Sequence, residues 1–276
     1  MTTERIYTKS ATYQKFEVLK NNRNKRYKYK EFFVEGVRNI NEAIKNDWAI
    51  VSFLYTTEKT LSDWAKDIIK STKTEINYEL PLNLMAELSG KEDTSELIAL
   101  INMRDDNISQ FKLSDNPLLA LFDRPSNKGN LGSVIRSCDA LGIDGLIITG
   151  HAVDLYDPDT VVSTMGSFFK LPVIRMVGNE SVQSFISDMK NDYPGFKVIG
   201  TTSHHETNIY DVDMTTPILI MVGNETDGLC NQFKEICDVE ATIPMDVNSS
   251  ASSFNVACAS TVIFYEAVRQ RKKILR

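Results

Sequence analysis

Six short apolar runs separated by helical stretches fill the second half of the chain, and this alternation restricts its fold more than any other feature. LLALFD (118–123), GLIIT (145–149), PVIRMV (172–177), KVIGTT (197–202), ILIMVG (218–223) and EATIPM (240–245) have the length and aliphatic content of buried strands. Helical patterns fall between them at 131–141, about 160–167, 181–191 and 231–237, and a long final helix runs over about 254–271. Strands that are apolar on both faces and joined by helices make a largely parallel sheet, so the fold class is α/β.

The first hundred residues predict a smaller α/β unit. EFFVEGVRNINEAIKN passes from a strand-like run through Gly36 into a helix, and AIVSFLYTT (49–57) reads as a strand. LSDWAKDIIKS is a helix capped by Ser62, LPLNLMAELSG a helix closed by Gly90, and ELIALINM (96–103) a further strand. The polar stretch RDDNISQFKLSDNP (104–117) is the expected linker, giving domains at 1–110 and 111–276.

Charge is distributed unevenly. The 276 residues carry 31 Lys plus Arg against 37 Asp plus Glu, a net −6, yet residues 5–30 hold nine basic side chains and one acid, Glu17. The densest part, KNNRNKRYKYK, interleaves Tyr27 and Tyr29 with Arg23, Lys25, Arg26, Lys28 and Lys30. That mixture suits phosphate contacts with base stacking, and equally a solvated basic helix. No apolar stretch is long enough to span a bilayer and the opening MTTERIYTKS has no signal-like segment, so a cytoplasmic protein with no membrane partner is expected. Cys138, Cys230, Cys237 and Cys258 have no paired spacing, and His151, His204 and His205 match no ligand pattern; free thiols and no metal are expected.

A parallel sheet places ligands at the carboxyl ends of its strands, but neither GxGxxG nor GxxxxGK[ST] is present. Three other loops follow strands. In RPSNKGNLGSVIR (124–136), Asn130 is a good N-cap for a helix burying Val134, Ile135, Cys138 and Leu141, and Arg136 sits off that stripe, where its guanidinium suits a phosphate or an acid, or simply the surface of an ordinary helix. In GNETDGL (223–229), Gly223 ends a strand and Glu225 either braces the loop or faces a site. In IPMDVNSSASSFNVACAS (243–260), a polar tract leads into the last helix, with Ser252 or Ser253 as its expected cap.

In this order the loops resemble the three motifs of the SpoU (TrmH-type) branch of the SPOUT methyltransferases. STMGSFFKLPVIR (163–175) also looks like the family's intervening segment, and the resemblance spans about 160 residues. The amino-terminal part is similar to the small ribosomal-protein-like RNA-binding domain that precedes such catalytic domains. The resemblance implies a C-terminal trefoil knot, a homodimer, S-adenosylmethionine as cofactor and methylation of an RNA ribose 2′-hydroxyl. Ribosomal RNA is favoured, with transfer RNA or a non-catalytic RNA-binding protein of the same fold as alternatives; a housekeeping and an antibiotic-resistance role are equally compatible with it.

Carried over by residue, Thr201, Gly223, Ile243, Met245 and Phe254 are expected to line the cofactor pocket. Asn130, Arg136, Glu225, Ser253 and Asn255 are expected to form the catalytic set, and Arg23, Lys25, Arg26, Lys28 and Lys30 to contact RNA. Two departures stand out: Asp246 and Val247 follow Met245 where the family has a glycine two residues on, and Phe254 replaces the usual Leu.

Overall fold

The computed structural model describes residues 2–91, 93–203 and 206–274. His204 and His205 lie outside them. The chain divides into two compact units, 1–104 with 154–170, and 105–153 with 171–276. This differs from the expected division at 110/111 chiefly because 154–170, sequentially inside the second half, packs with the first unit.

The first unit is built on a five-stranded mixed sheet of β1 (Thr3–Arg5), β2 (Glu31–Glu35), β3 (Ile50–Tyr55), β4 (Asn77–Glu79) and β5 (Leu97–Asn102), in the order β1-β4-β3-β5-β2. β5 runs antiparallel to both neighbours, while β1, β4 and β3 are mutually parallel. Ser62 Oγ accepts from Ala65 N at 3.2 Å, and Gly90 ends the helix Leu82–Ser89 at φ 62°, as their residue types predict. One side of the sheet buries Phe33, Leu54, Ile98 and Leu100 against Tyr13, Phe16 and Leu19 of the helix Ala11–Asn21.

The segment 154–170 completes this unit. Phe32 of β2 meets Tyr156, Phe168 and Phe169 at ring separations of 4.9, 5.7 and 6.3 Å, and Trp48 Nε1 donates to Phe169 O at 2.8 Å. Arg26 is 1% exposed. Its Nε and Nη2 donate to Asp154 Oδ2 at 2.9 and 2.6 Å, and its Nη1 donates to Leu19 O and Lys20 O. Tyr27 Oη reaches the other oxygen of Asp154 at 2.9 Å. A buried guanidinium with this many partners is structural, because removing any of them leaves a desolvated charge.

The second unit carries six strands: β6 (Leu118–Asp123), β7 (Gly145–Thr149), β8 (Val173–Met176), β9 (Lys197–Thr201), β10 (Ile218–Val222) and β11 (Val239–Ala241). Their order is β11-β9-β10-β6-β7-β8 and every pairing is parallel. All six match expected runs, though β11 stops at Ala241, leaving Thr242–Met245 as loop. β6, β7 and β10 are buried along their whole length, which explains their continuous apolar sequences. Leu119, Leu121, Ile147, Leu219 and Met221 pack against Val182, Phe185 and Met189 of the helix Asn179–Asp192. The final helix, Val256–Ile274, packs on the helix Lys128–Leu141. Arg271 pins its far end by donating to the carbonyls of Asn116, Pro117, Met214 and Thr216.

Among the described residues no helix is long and apolar enough to cross a membrane, and no group of three or more His, Cys, Asp or Glu is arranged to hold a metal.

Candidate cofactor cleft and catalytic loops

Strand β10 lies between β9 and β6, although β6 is followed in sequence by β7 on its other side. Such a reversal of direction opens a crevice at the carboxyl ends of the strands. A cleft of about 300 Å³ occupies that place, within the size range of small-ligand sites. Thr201 and Thr202 enter it from the end of β9, Val222 and Gly223 from β10, and Ala241 to Ile243 from β11; Met245, Ser253, Phe254 and Ile263 close it. All five residues expected to hold the cofactor line this cleft.

Close backbone approach shapes it. A Cβ on Gly223 would stand 2.2 Å from Gly228 C and Leu229 N, so only glycine lets the strand end meet the returning loop. Asn224 and Gly228 exchange two backbone hydrogen bonds of 3.0 Å, and Asn224 Oδ1 accepts from Thr226 N and Asp227 N, folding 224–228 into a tight turn. Val247 stands where the family has glycine, and the preceding Asp246 makes the turn, its Oδ1 accepting from Asn248 N at 2.8 Å and its carbonyl from Ser249 N. Phe254 is half exposed at the rim.

Glu225 resolves as a brace between loops. Its Oε2 accepts from Ser126 N at 2.9 Å and Ser126 Oγ at 2.6 Å, and its Oε1 accepts from Asn127 N and Asn130 Nδ2 at 3.1 and 3.2 Å. Burial opposes its ionisation, but the hydrogen bonds from Ser126 and Asn130 outweigh it and hold the carboxyl below its ordinary value. Asn130 Oδ1 in turn accepts from Asn255 Nδ2 at 3.2 Å. One chain, Asn255 to Asn130 to Glu225, therefore ties together all three loops.

Both expected helix caps are displaced. Asn127, not Asn130, caps the helix Lys128–Leu141, its side chain accepting from Asn130 N. Asn255, not Ser252 or Ser253, caps the last helix by accepting from Ala257 N and Cys258 N. Freed from capping, the Asn130 side chain is available to link Glu225 and Asn255.

Ser253 is exposed on the cleft wall. Arg136 is exposed on the helix Lys128–Leu141 and is not part of the cleft lining. Of the expected RNA-contacting set, Arg23, Lys28 and Lys30 are exposed and Lys25 half-buried, whereas the buried ion pair of Arg26 with Asp154 withdraws it from any ligand. Sequence reasoning passed over Ser126, Asn127 and Asn224, whose signal was present: short polar side chains after strand ends are habitual turn and loop anchors.

The fold and cleft define an α/β protein in two units whose second unit binds a small molecule at the switch point of a parallel sheet. Residues 117–265 match the SpoU rRNA Methylase family and residues 10–99 the SpoU L30e-like domain. The chain belongs to the SpoU rRNA methylase family. It is 40% identical over 268 residues to the 23S rRNA (uridine(2479)-2′-O)-methyltransferase of Streptomyces viridochromogenes, covering 97% of this chain and 92% of that protein. It is 26% identical to the 23S rRNA (guanosine(2553)-2′-O)-methyltransferase RlmP of Bacillus subtilis, with 88% and 90% covered. The crystal structure of the SpoU methyltransferase AviRb from Streptomyces viridochromogenes in complex with the cofactor AdoMet superposes with a TM-score of 0.89 at 40% identity, covering 95% of this chain and 98% of that one.

Proposed function

We propose that this protein methylates a ribose 2′-hydroxyl in 23S ribosomal RNA. The observation that carries the reading is the hydrogen-bonded chain joining Asn255, Asn130 and Glu225 beside a cleft lined by Thr201, Gly223, Ile243, Met245 and Phe254. The cleft fits S-adenosylmethionine on its own chemistry: apolar Ile243, Met245 and Phe254 suit a purine face, while threonine and serine hydroxyls and tightly turned backbone suit ribose and amino-acid groups. S-adenosylmethionine supplies an electrophilic methyl on a positively charged sulfur.

The residues supply position and charge. A ribose hydroxyl loses its proton as it attacks, and no histidine lies in the three loops. Arg136 holds the phosphate beside the target ribose through its guanidinium fork and stabilises developing negative charge on the oxygen. The proton passes to that phosphate or to water. Ser253 orients the hydroxyl, Asn130 and Asn255 hold the loops around it through their mutual hydrogen bond, and Glu225 fixes the loop that carries Asn130. Arg23, Lys25, Lys28 and Lys30 form the RNA-contacting face of the first unit, and the division of labour assigns 1–110 to RNA and 111–276 to methyl transfer, except that 154–170 goes with the first unit.

The family resemblance supports a homodimer working in the cytoplasm, and exposed Val262 and Tyr265 on the final helix are in keeping with a covered face. Placement of β10 between β9 and β6, followed by return of the chain to pack its last helix on the helix Lys128–Leu141, supports a trefoil-knotted path.

The test is transfer of labelled methyl from S-adenosylmethionine to RNA and ribosomal subunits from a strain lacking this protein, with Arg136→Ala and Arg136→Lys alongside and the product mapped by ribose-methylation sequencing. One methylated ribose in 23S RNA, lost in Arg136→Ala and poorly restored in Arg136→Lys, is expected, because Lys keeps the charge without the bidentate fork. Methylation confined to transfer RNA replaces the substrate, and cofactor binding without any acceptor RNA replaces the enzyme with a binding protein.

A further inference from the structure

The cofactor reading leaves Arg124 without a role, although hydrogen bonds on both its side chain and its backbone fix it beside the cleft. It follows β6 in the left-handed region, at φ 51°, a conformation unfavourable for a long side chain. Its Nε donates to Asp123 Oδ2 at 3.0 Å, and its Nη2 donates to Gly228 O at 2.9 Å. Its own carbonyl accepts from Asn224 Nδ2 at 2.7 Å. Thus both ends of the turn 224–228, which forms one wall of the cleft, are held by one residue.

The anchor beneath it is rigid. Asp123 is 1% exposed, and its two oxygens accept from Thr149 Oγ1 at 2.8 Å and from Cys230 N at 3.0 Å in addition to Arg124. The carboxylate therefore connects β6, the end of β7 and the residue at which the turn re-enters the fold. The Arg124 stem leaves room for nothing more: a Cβ added to Gly150 would lie 2.5 Å from Arg124 Cγ. Gly150 is itself at φ 63° and does not line the cleft.

We infer that Arg124, seated on Asp123 and given room by Gly150, is a positioning residue that sets the cofactor affinity of the cleft by holding the turn 224–228 in place. It touches the cleft through Asn224 and Gly228 by hydrogen bonds and through Asp227 by an ion pair of 3.9 Å. A bidentate guanidinium can satisfy Asp123 and the Gly228 carbonyl together, whereas an ammonium reaches one of them at a time. The inference rests on the reading of the cleft as the S-adenosylmethionine site.

Calorimetric titration of the full-length protein with S-adenosylhomocysteine tests it, with thermal melting run on the same samples. Arg124→Ala is expected to weaken binding about tenfold or more at unchanged stoichiometry, and Arg124→Lys to recover only part of the loss. Gly150→Ala, which alters no residue of the cleft, is expected to act in the same direction by displacing the Arg124 stem. In turnover, KM for S-adenosylmethionine should rise while kcat at saturation stays within about threefold. Wild-type affinity in folded Arg124→Ala, or a loss of binding-competent protein at unchanged Kd, overturns the positioning role. If Arg124→Ala does not fold, Arg124→Lys and Gly150→Ala decide it by the same criteria. Absence of binding by the wild type overturns the cleft reading and this inference together, an outcome distinct from wild-type binding with indifferent variants.

Discussion

Asn255 Nδ2 donates to Asn130 Oδ1 at 3.2 Å, tying the start of the last helix to the first turn of a helix 125 residues earlier. Asn255 spends its own oxygen on Ala257 N and Cys258 N, and Asn130 spends its nitrogen on Glu225. Each amide thus has one end committed to local structure or a brace and the other to its partner, which fixes both orientations.

Removing either amide should have the same consequence as removing both. Asn130→Ala and Asn255→Ala are each expected to lower kcat/KM about tenfold or more, and the double variant to fall well short of the product of the two losses. Methyl-transfer kinetics on the four proteins of the cycle measure this directly; simple multiplication of the effects would show that the two side chains act independently.

Glu225 gives the cleft a defined acid limit. Its folded-state carboxyl titrates below its ordinary value of 4.5, so its bracing is fully present above that value and is lost as pH falls through the lower, folded one. Binding of S-adenosylhomocysteine should therefore be insensitive to Glu225 between pH 7 and 5 and decline only in more acid solution. Glu225→Gln keeps one acceptor oxygen but loses the charge, and should weaken binding across the whole range with no acid step.

Buried and exposed cations of the same charge run should behave differently. Arg26→Ala leaves Asp154 buried without its guanidinium and is expected to cost about 3–5 kcal/mol in urea unfolding. Lys28→Ala should leave stability within about 0.5 kcal/mol and instead lower the slope of log Kd against log salt for RNA by about one.

Gly223→Ala places a methyl within 2.2 Å of the backbone at Gly228 and Leu229, where nothing flexible can move aside. Binding of S-adenosylhomocysteine is expected to be abolished while the circular dichroism of the parallel sheet is retained; a variant that binds normally would show that the turn 224–228 is not a fixed wall.

Much of the second unit is legible in sequence because strands covered on both faces have no polar positions to disguise them, as LLALFD and ILIMV show. The cleft is legible only through the resemblance of the three loops, in order, to the family's motifs, because a glycine turn and a polar tract taken singly also fit an ordinary turn and a capped helix. The two shortest strands of the first sheet were not: TER and NYE are three residues long and carry no apolar alternation. Neither was the burial of Arg26, since a charge run reads as solvated until Asp154, 128 residues away, is brought against it. The caps were misassigned for a local reason. Asn127 and Asn130, like Ser252, Ser253 and Asn255, offer competing oxygens within a few residues, and only backbone geometry selects among them.

Residues 154–170 belong with the first unit, so the order of synthesis and the order of closure differ. A nascent chain emerges amino terminus first and its units fold as they become available. When Asn102 has left the ribosome all five strands of the first sheet are present, but Phe32 and Trp48 still lack Phe168 and Phe169, and Arg26 still lacks Asp154. The unit cannot finish until β6 and β7, two strands of the other sheet, have also been made. Through that interval the nascent chain carries an aromatic surface open to chaperones, and translation speed between residues 104 and 170 becomes a determinant of folding yield.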